Sequence, residues 1–227
     1  MQLIDLSIEM SDNMPAHYLF PRPVILPHRK HEETVKTLTG GFSYATNFIS
    51  MLDHCGTHVD AYFHVNPKGA AIEAMKLEEF YGPAVCWDLT HIPAKGLIDV
   101  KDLEQAQKKS GLPFKENDIV LFHTGHHNRT WPDKTAWENT YPGLTYNACK
   151  WLFDHKVKMH GVEGPSTDHP EDKSFPAHRA CRDLGITHIE CLANLEKVVN
   201  KRFTFIGFPI KLVGTSGAPL RAVALLD

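Results

Sequence analysis

Short runs of apolar or alternating residues recur along the chain and predict β-strands. They cover residues 3–8, 45–51, 83–89, 119–123, 157–163, 188–192, 203–208 and 222–226. Helical patterns lie between some of these runs, at residues 100–109 with Asp99 as candidate N-cap, at 146–155, and at 175–184 before Gly185. Because several strands follow one another before and after the helices, the order favours an α/β or α+β domain around a mixed sheet or open barrel.

The rest of the organisation is simple. A chain of 227 residues is long enough for one domain with a substantial core, so we expect a single domain over residues 1–227. The proline-rich segment 21–27 is expected to form a surface loop or arm. Long polar connections at residues 124–143 and 164–176 are unusual in a compact domain unless they bind something, which makes them candidate walls of a site.

Composition and charge limit the classes of molecule that this protein is expected to bind. The net charge of −3 gives no positive field for nucleic acid or anionic lipid, and no apolar run is long enough to span a bilayer. The first ten residues lack the pattern of a secretory signal, so we expect a cytoplasmic protein. Because nucleic acid and membrane are disfavoured, we expect its partner to be a small molecule. The five cysteines are scattered and form no CxxC pair, which argues against a disulfide framework or a thiolate zinc site.

The densest chemical signal is the segment 53–64, DHCGTHVDAYFH. Residues 57–63 favour extended backbone, in which His58 and Asp60 project from the same face. His54 can join them if the chain turns at Gly56, because glycine tolerates the backbone angles of a tight reversal. Three such ligands with open positions are typical of a catalytic metal site.

His64 has the same parity but a different expected role. Six residues of extended strand span about 20 Å, so His64 is excluded as a direct ligand unless the chain curls. We therefore expect it to transfer protons beside the metal, since imidazole titrates near neutral pH.

A second group of candidates lies downstream. His178 falls on the last predicted helix, and Glu190 interrupts an otherwise apolar strand. A buried, unpaired carboxylate is costly, and a cation is one effective way to compensate it. The alternative is that Glu190 lies on the solvent face of its strand; the presence of the first cluster favours the metal.

These motifs resemble the metal-dependent cyclase family, which includes bacterial kynurenine formamidase and isatin hydrolase. The resemblance rests on HxGTHxD with a histidine four residues later, then His178 and Glu190 twelve residues apart. Segments in the same order as in the family extend it over nearly the whole chain: LFHTG at 121–125, YPGL at 141–144, Ser166 with Asp168, and GAP and RAVA near the end.

The resemblance implies a swivelling β/β/α-type α/β domain, usually a homodimer or homotetramer, with one or two divalent ions. His54, His58 and Asp60 would hold the first ion and His178 a second. Asp60 and Glu190 could bridge the two ions, with His64 as general acid/base. Ligation by imidazole and carboxylate without thiolate suits Zn²⁺ or Mn²⁺, and the sequence does not choose between them.

The chain also departs from the family at its substrate pocket. Ala61-Tyr62 replaces a small residue and proline, so Tyr62 is expected to reshape the pocket wall. Where formamidases usually carry a tryptophan, this chain has His17, Tyr18 and Phe20, of which Phe20 is a candidate apolar wall. Three further histidines, which either line the pocket or lie exposed on a loop, are His123, His126 and His127.

Three functions follow from these candidates. The first is a metal-dependent hydrolase that cleaves an amide-type C–N bond, in an aryl formamide such as N-formylkynurenine or in a cyclic amide or imide such as isatin. The second is a ring-forming or dehydrating cyclase of a biosynthetic pathway that uses the same site. The third, a non-catalytic metal-binding protein, is disfavoured because a closed storage site needs no additional acid/base group such as His64.

Overall fold

The computed structural model describes residues 1–17 and 19–226, so the substrate-pocket candidate Tyr18 lies outside the described residues. These described residues form thirteen strands, in chain order β1 Gln2–Asp5, β2 Val24–Arg29, β3 Thr46–Ser50, β4 His58–Asp60, β5 Tyr81–Asp88, β6 Leu97–Ile98, β7 Ile119–His123, β8 Gly143–Leu144, β9 Met159–Gly161, β10 Thr187–Glu190, β11 Arg202–Ile206, β12 Gly217–Pro219 and β13 Val223–Leu226. The same part of the chain contains seven α-helices: α1 His31–Thr34, α2 Tyr62–Val65, α3 Val100–Ser110, α4 His126–Thr130, α5 Lys134–Asn139, α6 Tyr146–Asp154 and α7 Pro176–Leu184. Short 3₁₀ turns cover Ile72–Ala74, Leu77–Phe80 and Leu195–Lys197.

Nine of the strands form one curled sheet in the order β1-β13-β11-β5-β7-β9-β10-β4-β12. The four strands β5, β7, β9 and β10 are parallel, and the remaining neighbours pair antiparallel. The sheet is therefore mixed and curls into half a barrel, which confirms the predicted fold class. Every predicted strand and helix is present, with ends shifted by a few residues.

Each face of the sheet carries its own hydrophobic core. Side chains along β5 alternate between the two cores, with Ala84 and Cys86 in one and Val85 and Trp87 in the other. The first core fills the inside of the curl, and the second lies under α3, α6 and α7. Alternation with a period of two explains why one strand supplies both layers.

Segment 21–27 is only partly a loop. Residues Val24–Arg29 form β2, which pairs with β3 in a separate two-stranded sheet. Most of the large apolar side chains of this two-stranded sheet are exposed, including Leu26 at 53 % and Phe48 at 57 %. The segment is thus an arm with unusually apolar surfaces. In the described part of the chain, no helix has both the length and the apolar character needed to cross a membrane.

The start of α3 provides a test of the local sequence reasoning. Asp99 accepts hydrogen bonds from the Val100 backbone N–H at 2.9 Å and from the Thr145 hydroxyl at 2.8 Å, so one carboxylate fixes the starts of α3 and α6. We expect Asp99→Ala to lower the free energy of unfolding by about 1–2 kcal/mol, as measured by urea denaturation. The control is Glu104→Ala, an exposed position on α3. Equal denaturation midpoints for the two variants would contradict this account of the cap.

Candidate metal centre

The segment 53–64 turns sharply and brings its donors together. Gly56 has a left-handed backbone with φ of +67°, which reverses the chain as predicted. His58 and Asp60 then lie on β4, facing the same side, with His58 Nε2 3.6 Å from Asp60 Oδ1. His54 Nδ1 lies 2.9 Å from the same oxygen. The structure therefore brings together all three residues predicted to hold the first ion.

The neighbouring strands lock this arrangement. On one side β4 pairs with β10, which places Glu190 directly opposite His58. On the other side it pairs with β12, where Gly217 lies opposite Asp60. A Cβ atom at Gly217 would stand 2.9 Å from the His54 ring and 2.8 Å from the Val59 carbonyl oxygen, so this glycine permits the close approach. The position of His54 thus depends on a residue far along the chain.

The downstream candidates reach the same place. Glu190 is only 5 % exposed, so it does not lie on the solvent face, and its Oε2 is 3.4 Å from His58 Nε2. His178, on α7, places its Nε2 3.4 Å from Asp60 Oδ2. Thr167 donates its backbone N–H to Glu190 Oε1 at 2.9 Å. Asp60 therefore has His54 and His58 beside one oxygen and His178 beside the other.

A sixth donor, His188, was absent from the sequence-based set. It is 1 % exposed, and its Nε2 lies 3.3 Å from Asp60 Oδ2 and 3.1 Å from Glu190 Oε1. The signal was available, because His188 and Glu190 are two residues apart on a strand, as His58 and Asp60 are. Its apolar neighbours Ile186 and Ile189 hide this spacing, because they are typical of a core strand.

The expected distance of His64 was wrong. The chain does not stay extended past Asp60, because α2 begins at Tyr62 and turns His64 back towards the cluster. Its Nε2 lies 3.7 Å from Asp60 Oδ2, and its ring centroid is 4.3 Å from that of His54. His64 is the most exposed imidazole of the group, with 27 % of its side chain accessible. It thus stands close enough to exchange protons at this site.

In three of these imidazoles, the ring nitrogen that points away from Asp60 forms a hydrogen bond as a donor. The other ring nitrogen, which faces Asp60, is then an acceptor when the ring is neutral. His58 donates from Nδ1 to the Gly56 carbonyl at 2.8 Å, and His178 donates from Nδ1 to the Asp168 carboxylate. The Ser216 hydroxyl donates to Asp53, so it accepts from His54 Nε2. When these rings are neutral, their remaining lone pairs face carboxylate oxygens, and such an arrangement is stable only with a cation between them.

Unsatisfied buried atoms identify the same place. Within the described residues, the buried polar atoms that form no hydrogen bond include His58 Nε2 and both carboxylate oxygens of Asp60. Leaving such atoms without a partner is costly in a protein interior. A divalent ion would satisfy all three, so the residues present fit a metal.

The electrostatics agree with this interpretation. Burial raises the pKa of Asp60, but the surrounding imidazoles, His188 foremost, outweigh it and hold that pKa well below its usual range. Burial lowers the pKa of His178, but the hydrogen bond to Asp168 and the nearby Asp60 carboxylate raise it to about 10. The same negative field that retains a proton on imidazole would attract a divalent cation, and these residues would release that proton to hold it.

The cluster opens into a cavity of about 260 Å³. Its walls are formed by His17, Leu19, Phe20, His54, Asp60, His64, Pro165, Ser166, Phe175, His178 and Glu190. Phe20 thus lies where a substrate wall was expected, and the connection 164–176 contributes three of these residues. Tyr62 does not line this cavity. Its hydroxyl instead donates to Glu79 Oε2 at 2.7 Å, and its ring packs against the first core.

The structure places His123 at the end of β7 and both His126 and His127 in α4. His123 and His126 are buried, so they are not on an exposed loop, and they do not line the cavity at Asp60. His123 lies 3.5 Å from the fully buried Glu163, and the His126 ring bonds to the Trp137 carbonyl oxygen at 2.9 Å. His127 is partly buried and stacks on Trp131. His123 and His126 thus belong to a separate polar cluster around Glu163.

Comparison with solved structures shows which known proteins share this fold. Isatin hydrolase A from Labrenzia aggregata, bound to benzyl benzoate, matches with a TM-score of 0.87 and 22 % identity, over 100 % of this chain and 94 % of that one. A structure described as a potential metal-dependent hydrolase with cyclase activity matches with a TM-score of 0.76 and 26 % identity, over 98 % and 96 % of the two chains. The curled mixed sheet is therefore shared with these proteins.

Sequence comparison identifies the family. Kynurenine formamidase of Salinibacter ruber is 30 % identical over 228 residues, which covers 98 % of this chain and 97 % of that protein. Kynurenine formamidase of Bacillus mycoides is 28 % identical over 177 residues and 77 % of each chain. The family described as putative cyclase matches residues 4–169. The chain that carries this Asp60-centred cluster therefore belongs to the putative cyclase family.

Proposed function

We propose that this protein is a metal-dependent hydrolase that cleaves an amide-type C–N bond in a small molecule. The observation that carries the proposal is Asp60, a buried carboxylate with imidazoles beside both of its oxygens and no hydrogen bond to either oxygen from a described residue. A centre of this kind beside an open cavity suits catalysis better than storage. The kynurenine formamidase and isatin hydrolase relatives support the same reaction class.

The metal we propose is Zn²⁺ or Mn²⁺, with one or two ions per chain. His54, His58 and Asp60 would hold the first ion, and His178 and Glu190 would serve the second. Imidazole and carboxylate donors without thiolate suit both metals. When bound, such an ion lowers the pKa of a coordinated water and polarises a carbonyl group, the two requirements of amide hydrolysis at neutral pH.

Side chains of the protein would supply the proton transfer and the exclusion of water. An amide anion is a poor leaving group, so a proton must reach the departing nitrogen. We assign this transfer to His64, because it lines the cavity and, unlike the other imidazoles, its second ring nitrogen has no hydrogen bond among the described residues. That nitrogen is available to collect and deliver a proton. Phe20 and Phe175 exclude water from one side of the cavity.

The substrate we propose is an aryl formamide such as N-formylkynurenine, or a cyclic amide or imide such as isatin. The aromatic walls suit a ring. A neighbouring cavity of about 290 Å³ shares His64, Phe175 and His178 with the first one and is also lined by Arg179 and Arg182. Those guanidinium groups favour a substrate whose tail carries negative charge.

The assembly we propose is a homodimer or homotetramer. The β2–β3 arm supports it, because an isolated two-stranded sheet with exposed apolar side chains on its surface is marginal in water. A second copy that covers the arm would stabilise it. We also propose a cytoplasmic location, which the free, buried state of all five cysteines supports.

The reaction is tested directly by mass spectrometry of products. Protein loaded with Zn²⁺ or Mn²⁺ is incubated with aryl formamides, with and without a carboxylate tail, and with isatin-like lactams and cyclic imides. We expect at least one class to gain one water or to split into acid and amine. A metal-loaded protein that leaves the whole panel intact would contradict hydrolysis and favour the ring-forming or dehydrating cyclase, a reaction that the family description supports.

The division of roles predicts different losses in two variants. Asp60→Ala should abolish both metal binding and turnover, because Asp60 faces five imidazoles at the centre of the cluster. His64→Ala should retain metal and lose turnover by about 10²–10⁴-fold. Metal content is measured by mass spectrometry of the desalted protein, and the exposed His28→Ala is the control. Loss of metal from the His64 variant would overturn its assignment to proton transfer.

The anchoring of His178 gives a further prediction. Asp168 accepts from His178 Nδ1 and from the Ala177 backbone N–H at 2.6 Å, so it sets the ring orientation at the start of α7. Asp168→Asn should weaken metal affinity by about 10–100-fold in calorimetric titration, because the neutral amide orients and polarises the ring less well. The control is Asp172→Asn, on the same loop but bonded to Ser174. Unchanged affinity in the Asp168 variant would show that this contact does not act on the metal.

A further inference from the structure

We infer that His188 is a fourth protein ligand of the second ion, beside Asp60, His178 and Glu190. This inference rests on the metal centre of the proposed function. It goes beyond that function because the second ion would then be enclosed by four ligands from the protein. Each of the four residues offers one donor atom, and these atoms all lie within 4.8 Å of one another. The group is separate from the side of Asp60 that faces His54 and His58.

Two of the three short distances in this group match the edges of a coordination tetrahedron, and the third is slightly shorter. A tetrahedral ion with bonds of about 2.0–2.2 Å holds its ligand atoms about 3.3–3.6 Å apart. His188 Nε2 lies 3.3 Å from Asp60 Oδ2 and 3.1 Å from Glu190 Oε1, and His178 Nε2 lies 3.4 Å from Asp60 Oδ2. The His188 ring therefore occupies a ligand position of the same quality as that of His178.

The surroundings of His188 hold the ring in this orientation. Its Nδ1 contacts Cys181 Sγ on α7 at 3.4 Å, and its ring stacks on His160 of the neighbouring strand at 5.3 Å between centroids. Both contacts leave Nε2 directed at the two carboxylates. A fixed second ring nitrogen is typical of histidines that ligate metals.

The competing role for His188 is a protonated hydrogen-bond donor that neutralises Asp60 and Glu190. The two roles predict opposite effects when the ring is removed. A ligand lost from the site weakens binding of the second ion. If His188 is instead a protonated imidazolium, its removal leaves the carboxylates of Asp60 and Glu190 without that positive charge. Metal binding then becomes tighter or stays the same.

Two substitutions separate these roles. His188→Asn retains an amide near the Nδ1 position, which preserves the contact with Cys181, but it removes the atom that faces the carboxylates. His188→Gln places an amide near the Nε2 position, where it can donate a hydrogen bond but is a far poorer ligand than imidazole. The control is His126→Asn, which removes a buried imidazole from the separate cluster near Glu163.

The experiment is a calorimetric titration of chelator-treated protein with Zn²⁺, with bound metal counted by mass spectrometry after desalting. We expect wild type and the control to bind two ions per chain, and both His188 variants to bind the second ion at least about tenfold more weakly. Wild-type affinity for the second ion in either variant would overturn the inference, as would a wild type that holds only one ion. A wild type that binds no metal at all would overturn the proposed function as well, so the two failures are distinguishable.

Discussion

Two carboxylates buried side by side, Asp60 and Glu190, impose the constraint on which the rest of this structure depends. Each is at most 5 % exposed, and neither can remain charged in a protein interior without compensation. The protein surrounds them with imidazoles from three parts of the chain, the segment 54–64, α7 and β10. The strand pairings of β4 with β10 and β12 bring those parts together, so the sheet is the frame that positions the charge.

The same constraint explains features that appear unrelated in the sequence. Gly217 lacks a side chain because a Cβ atom there would collide with the His54 ring. Thr57 bonds to the Cys191 carbonyl oxygen at 2.6 Å and receives the Ile8 backbone N–H at 2.9 Å, which ties the start of β4 to the end of β10 and to the N-terminal segment. The GTH portion of the motif thus has a structural role beside the ligating role that we propose for His58.

Much of this architecture could be predicted from local sequence patterns. The strands show their alternation clearly, and Asp99 and Gly185 mark helix ends with the residue types expected there. His58 and Asp60 were placed correctly because both lie within one strand, where parity fixes the side. Prediction failed at His64 because the chain leaves the strand one residue after Asp60, and no local pattern marked the short helix that follows.

The omission of His188 and the misplacement of Tyr62 have one shared cause. Both lie among residues that are otherwise apolar or aromatic, and the patterns that predict burial do not show whether a buried polar group meets a carboxylate, a metal or the core. That difference depends on contacts such as Asp60 to His188 and Tyr62 to Glu79, which join distant segments. The measurement that tests the central claim most directly is the hydrolysis rate of an aryl formamide during stepwise metal reconstitution of chelator-treated protein. The account predicts no turnover without metal and a rate that rises with the ions bound per chain; turnover in protein shown to be metal-free would contradict it.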